Sequence, residues 1–156
     1  MKNKITAYIS HNSRDLTIHD DRVQFLNTLA ILLGCRESFG GQFPDGRRPD
    51  VLRMNSKQNI LFIGDAKHSE SPRYKATQSR LMEYFRWLSA YMVRERSIGI
   101  FAICFGRESD TQGWIETISL LGQEVALKST EQGVEKFEPS LVVAWFTFRN
   151  ARYLSS

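Results

Sequence analysis

Two short stretches decide how this chain is read: Arg47-Arg48-Pro49-Asp50-Val51-Leu52 and, shortly after, Ile60-Leu61-Phe62-Ile63-Gly64-Asp65-Ala66-Lys67. The second is apolar on successive residues, the pattern of a strand buried on both faces. The first opens on an acid and runs into apolar residues, and Ser56-Lys57-Gln58-Asn59 between them suits a hairpin loop. Pro49 to Met54 and Asn59 to Ala66 are therefore expected to pair antiparallel. One acid then opens the first strand and another closes the second, so Asp50 lies beside Asp65. Residues i and i+2 of a strand share a face, so Asp65 and Lys67 are expected to project together.

The flanks supply helices. From Leu16 to Leu33 the residues Ile18, Phe25, Leu29 and Leu33 recur at helical spacing, and Gly34 provides a stop. Cys35 to Phe43 is a short segment broken by Gly40-Gly41, and Pro44-Asp45-Gly46 is a turn. A second helix is expected from Tyr74 to Arg96, with Leu81, Tyr84, Phe85, Leu88, Tyr91 and Met92 as its apolar stripe. Ile98 to Phe105 reads as a buried strand. Thr111 to Leu121, capped by Asp110, reads as a short helix, Val125 to Lys128 as an edge strand, and Leu141 to Phe148 as a last strand. Trp145 to Phe148 with Arg149, Arg152 and Tyr153 reads as a core strand with a basic tail, or else as a dimer edge or base-stacking surface. The order is that of an α/β domain, a mixed central sheet flanked by helices.

Composition sets outer bounds. The 156 residues suit one domain with a real core, and 42% hydrophobic with 24% charged residues argues against disorder. The run Leu29 to Leu33 is far too short to span a bilayer, and Ile5 to Ile9 is too short for a signal-peptide core. A cytoplasmic protein is the expectation, with no membrane partner. Cys35 and Cys104 form no CxxC pair and have no His at zinc spacing, so both are expected to be small buried side chains. A net charge of +4 favours a polyanionic partner only weakly, but Arg47, Arg48, Arg53, Lys57, Lys67, Arg73, Lys75 and Arg80 cluster around the acidic motif.

Two carboxylates and an ammonium at one sheet edge suit phosphodiester hydrolysis. Carboxylates bind Mg²⁺, a hard cation that keeps several waters and lowers their pKa. A nearby lysine can orient or deprotonate such a water.

Pro49-Asp50 with Asp65-Ala66-Lys67 resembles the paired motif of the PD-(D/E)XK nuclease superfamily. The surrounding order of elements, from residue 16 to 105, also resembles that family's core. The resemblance implies a restriction-endonuclease-like αβββαβ core and a Mg²⁺-dependent deoxyribonuclease, with Mn²⁺ substituting. It implies catalytic roles for Asp50, Asp65, Lys67 and Gln78, and a metal held at Asp50, Asp65 and Ala66 with help from Asp21. Asp45 competes with Asp50, but its Gly46 neighbour suits a turn better than the start of a strand. The family's first-helix Glu has no counterpart. Asp21 shares a face with Phe25, Asp20 and Asp21 also suit the first helical turn, and Glu37 is the fallback. Arg47, Arg48, Lys75 and Arg80 are candidate phosphate contacts, and His11, His19 and His68 are read as non-ligands.

Three functions follow from the resemblance. One is a free-standing DNA endonuclease, as in small dimeric Holliday-junction resolvases, where a homodimer places two sites on opposite strands. Another is a nuclease subunit of a mobile-element, restriction or defence system, targeted by a protein partner. The third is a non-catalytic nucleic-acid-binding protein on the same fold.

Overall fold

A computed structural model describes residues 19–41, 48–67, 74–105, 141–146 and 151–155. Its elements are α1 (His19–Leu32), β1 (Glu37–Ser38), β2 (Val51–Asn55), β3 (Ile60–Lys67), α2 (Tyr74–Glu95), β4 (Ile98–Phe105), β5 (Leu141–Phe146) and β6 (Ala151–Ser155). The strands form one mixed sheet in the order β1-β2-β3-β4-β5-β6. The β1–β2, β2–β3 and β5–β6 pairs are antiparallel, whereas β3–β4 and β4–β5 are parallel. The fold is α/β, as the order of patterns predicts. No helix among the described residues is long and apolar enough to cross a membrane.

Each helix covers one face of the sheet. Phe25, Leu26, Leu29, Ala30 and Leu33 of the α1 segment pack with Val51, Ile60, Phe62, Ile100, Ala102 and Cys104. Leu81, Tyr84, Phe85, Leu88 and Met92 of α2 pack with Leu61, Ile63, Phe101 and Ile103 on the other side. Alternate residues of β3 and β4 thus serve opposite cores, which is why both strands are apolar on successive positions. Phe85 and Phe101 meet edge to face with ring centres 5.6 Å apart, a favoured geometry for the aromatic quadrupoles.

The boundaries have local causes. Gly34 takes φ 87° just past α1, with its N–H on the Ile31 carbonyl at 3.0 Å and the Cys35 N–H on the Ala30 carbonyl at 2.9 Å. That pair of bonds is a Schellman cap and satisfies the carbonyls the helix end leaves open. Asn59 closes the β2–β3 hairpin with φ 55°, a conformation Asn tolerates better than most residues. Its side-chain amide donates to the carbonyls of Glu95 and Arg96 at 3.1 and 3.0 Å, tying the hairpin to the end of α2.

Differences from the sequence reading are few. Among the described residues of Cys35 to Phe43 only Glu37–Ser38 forms a strand, with Gly40-Gly41 following one residue further on. The basic tail is itself partly a strand: Arg152 pairs with Trp145 and Tyr153 with Ala144. It escaped notice because Ala-Arg-Tyr-Leu-Ser lacks clear alternation. The start of the first helix (residues 16–18), the turn at Pro44, and the elements expected at 111–121 and 125–128 lie outside the described residues.

Gly64 governs how closely α1 seats on the sheet. A Cβ there would lie 3.2 Å from the Val51 Cβ and 3.3 Å from the Leu26 Cβ. Those two atoms are fixed to their backbones, so strand or helix must shift to make room. Gly64→Ala is therefore expected to cost about 1–3 kcal/mol, read from the urea midpoint at unchanged m-value.

Cys35 and Cys104 are buried, as expected, and are not joined in a disulfide. Burial first, and the Glu37 charge second, push the Cys35 thiol from 9.0 up to about 11. Below pH 9.0 it is protonated folded or unfolded; between 9.0 and about 11 only the unfolded chain sheds the proton. Stability should fall with rising pH across that window, and Cys35→Ala should flatten the slope in pH-resolved urea titrations.

Candidate active site

The β2–β3 register builds the site. Val51 lies opposite Gly64, which sets Asp50 against Asp65 one step beyond. The two acids then brace each other. The Asp50 N–H donates to Asp65 Oδ1 at 3.2 Å, and the Ala66 N–H donates to Asp50 Oδ2 at 2.8 Å. Each carboxylate thus accepts a backbone hydrogen bond from the other's strand, a charge-assisted contact that fixes its orientation.

Their exposures differ. Asp65 is buried, at 2% exposure, on the sheet face that carries Leu61 and Ile63. A surface strand-end carboxylate, the plain alternative for this residue, does not fit that position. The Asp50 side chain keeps 28% of its accessible surface and forms the outer lip. Lys67 ends β3 two places after Asp65, in register with Phe105 of β4.

α1 delivers a residue that the sequence reading set aside. His19 Nε2 lies 3.9 Å from Asp50 Oδ1, too long for a hydrogen bond but close enough for a charge interaction when the ring is protonated. Asp20 and Asp21 occupy the first helical turn, the first exposed and the second half-buried. Of the polar residues in this first turn, the buried one is Arg22, at 3% exposure, rather than Asp21. The signal was present in the spacing: His19, Arg22, Leu26, Leu29 and Leu33 fall on one stripe, and a stripe drawn through apolar residues alone passes over its polar members.

Among the basic candidates, exposed Arg48 donates from Nη2 to the Phe39 carbonyl at 3.0 Å, which holds the segment leading into Asp50 against the end of β1. Arg80 is half-buried on α2. Lys75 and Gln78 lie on the first turns of the same helix, and Arg47 and Asp45 lie outside the described residues.

The donor set suits a hard cation. Asp50 and Asp65 offer only oxygen, and Mg²⁺ is commonly held by one or two carboxylates with waters completing its shell. No group of three or more His, Cys, Asp or Glu is gathered for a metal among the described residues. Asp50, Asp65 and the adjoining Ala66 would hold the cation at the rim of the sheet.

Comparison with known proteins finds no matching family model, no matching curated protein and no matching solved structure.

Asp50→Ala strips the Ala66 N–H of its acceptor and is expected to cost about 1–3 kcal/mol of stability. If the pair holds a cation, Mg²⁺ or Mn²⁺ should raise the melting temperature of the unaltered chain and leave that of Asp50→Ala unmoved. Differential scanning fluorimetry with and without chelator measures both.

Proposed function

We propose that this chain is a metal-dependent nuclease that hydrolyses DNA phosphodiester bonds on a restriction-endonuclease-like core. The observation that carries the reading is the buried Asp65, braced against Asp50 at the end of a hairpin and followed two places on by Lys67. Burying a carboxylate costs several kcal/mol, and a second one beside it adds repulsion. Functional sites hold carboxylates side by side where a bound cation relieves their mutual repulsion.

The roles divide by chemistry. Asp50 and Asp65 hold the cation, with Asp21 as the proposed contribution from α1. When bound, Mg²⁺ supplies a water of lowered pKa and neutralises charge on the phosphoryl oxygens. Lys67 takes or steers the proton of the attacking water, and Gln78 on α2 positions the scissile group. Arg47, Arg48, Lys75 and Arg80 hold the flanking phosphates, which fixes the position of the substrate without reading its sequence.

The test is cleavage of supercoiled plasmid, linear duplex and four-way junction DNA with Mg²⁺ or Mn²⁺. Asp65→Ala is expected to abolish metal-dependent cutting, and Lys67→Ala to slow it by about 10²–10⁴-fold. Cutting that survives in Asp65→Ala would falsify the assignment of the site.

A further inference from the structure

A second feature of α2 extends beyond the carboxylate site and shares only Arg80 with it. Arg80, Trp87, Tyr91 and Arg94 recur at i, i+7, i+11 and i+14, one stripe along the edge of the buried face. Trp87 and Tyr91 are stacked, with ring centres 5.4 Å apart and planes 16° from parallel. The Arg94 guanidinium carbon lies over the Tyr91 ring, 5.6 Å from its centre and within cation–π range. Phe39 stands edge-on to both rings at 5.5 Å and walls the stack on the β1 side.

None of these rings is sealed in the core. Phe39, Trp87 and Tyr91 are all only half-buried, whereas the neighbouring Tyr84, Phe85 and Leu88 are buried. A fully apolar contact surface would end in apolar residues. This one ends in Arg80 on one side and Arg94 on the other. The Arg94 Nε donates to the Glu95 carboxylate at 3.2 Å, and the side chain is exposed. From Arg80 to Arg94 the stripe covers about 21 Å of helix, room for several nucleotides. It also connects to the carboxylates, since Arg48, two residues before Asp50, holds the carbonyl of Phe39.

We infer that the Trp87–Tyr91–Arg94 stack, walled by Phe39, is a docking track for an unpaired strand of the nucleic-acid substrate. Bases pack against the exposed parts of the aromatic cluster while Arg80 and Arg94 contact the phosphates. Stacking of this kind requires bases freed from a duplex, so the track favours single-stranded or locally open DNA over a closed helix. The inference rests on the nucleic-acid reading of the site, and supplies a substrate class that the carboxylates alone do not define.

The experiment is fluorescence anisotropy in chelator, so that nothing is cut, with a short fluorescein-labelled oligothymidylate and a blunt duplex of equal length. The unaltered chain should bind the single strand more tightly. Trp87→Leu should weaken that binding by about tenfold with little effect on the duplex. Arg94→Gln, at an exposed position, should keep the melting temperature and lower the slope of log K against log salt by about 0.7. Equal affinity of all three proteins for the oligothymidylate, with one common salt slope, overturns the inference. So does retained affinity in a Trp87→Leu variant whose sedimentation shifts, which would mark the face as a contact between copies. The cleavage assay separates the two readings: loss of strand binding in Trp87→Leu without any cutting by the unaltered chain supports the track and sinks the nuclease. Asp65-dependent cutting with unchanged binding in the stripe variants does the reverse.

Discussion

The antiparallel register of β2 on β3 is the constraint from which most of this molecule follows. With Val51 opposite Gly64, three consequences arrive together. Leu61 and Ile63 face α2, Ile60 and Phe62 face α1, and the two acids come abreast. Strand side chains alternate with a period of two, so a slip of one residue would exchange the faces and bury the wrong set. Core and site therefore cannot be tuned independently. The same Gly64 that lets Leu26 approach the sheet immediately precedes Asp65.

Holding the pair of acids works against the fold. Two apolar clusters, one on each face of the sheet, supply the stabilisation. Against them stand a buried carboxylate and a second carboxylate beside it. The backbone hydrogen bonds to both carboxylates offset part of that cost, and they also restrict the oxygens to one orientation. Rigidity at the site is thus a by-product of making the charges tolerable.

Most of the architecture was legible in the residues. Doubly apolar stretches announced β3 and β4, the stripe from Leu81 to Met92 announced α2, and Gly34 marked the end of α1. Asp50 and Asp65 could be paired because a hairpin leaves little freedom in what faces what. What stayed hidden depends on contacts between elements distant in sequence. His19 approaches Asp50 across elements far apart in sequence, and a helical stripe read for apolar residues says nothing of that. The burial of Arg22 was obscured likewise, since arginine is seldom expected inside. β6 is a strand by virtue of its pairing with β5, a non-local contact that local propensity does not encode.

The brevity of β1 has a consequence for self-association. An outer strand with open backbone groups is a template on which another chain can build. Here Glu37 and Ser38 cover Met54 and Arg53, and the Phe39 N–H reaches the Leu52 carbonyl at 3.5 Å before Gly40-Gly41 ends the run. The Glu37 carboxylate is meanwhile turned back onto the Ser56 hydroxyl at 2.7 Å. What this edge offers to a passing strand is two exposed polar residues, one half-buried phenylalanine and then glycine. So short an outer strand gives a passing chain little backbone to copy on that side.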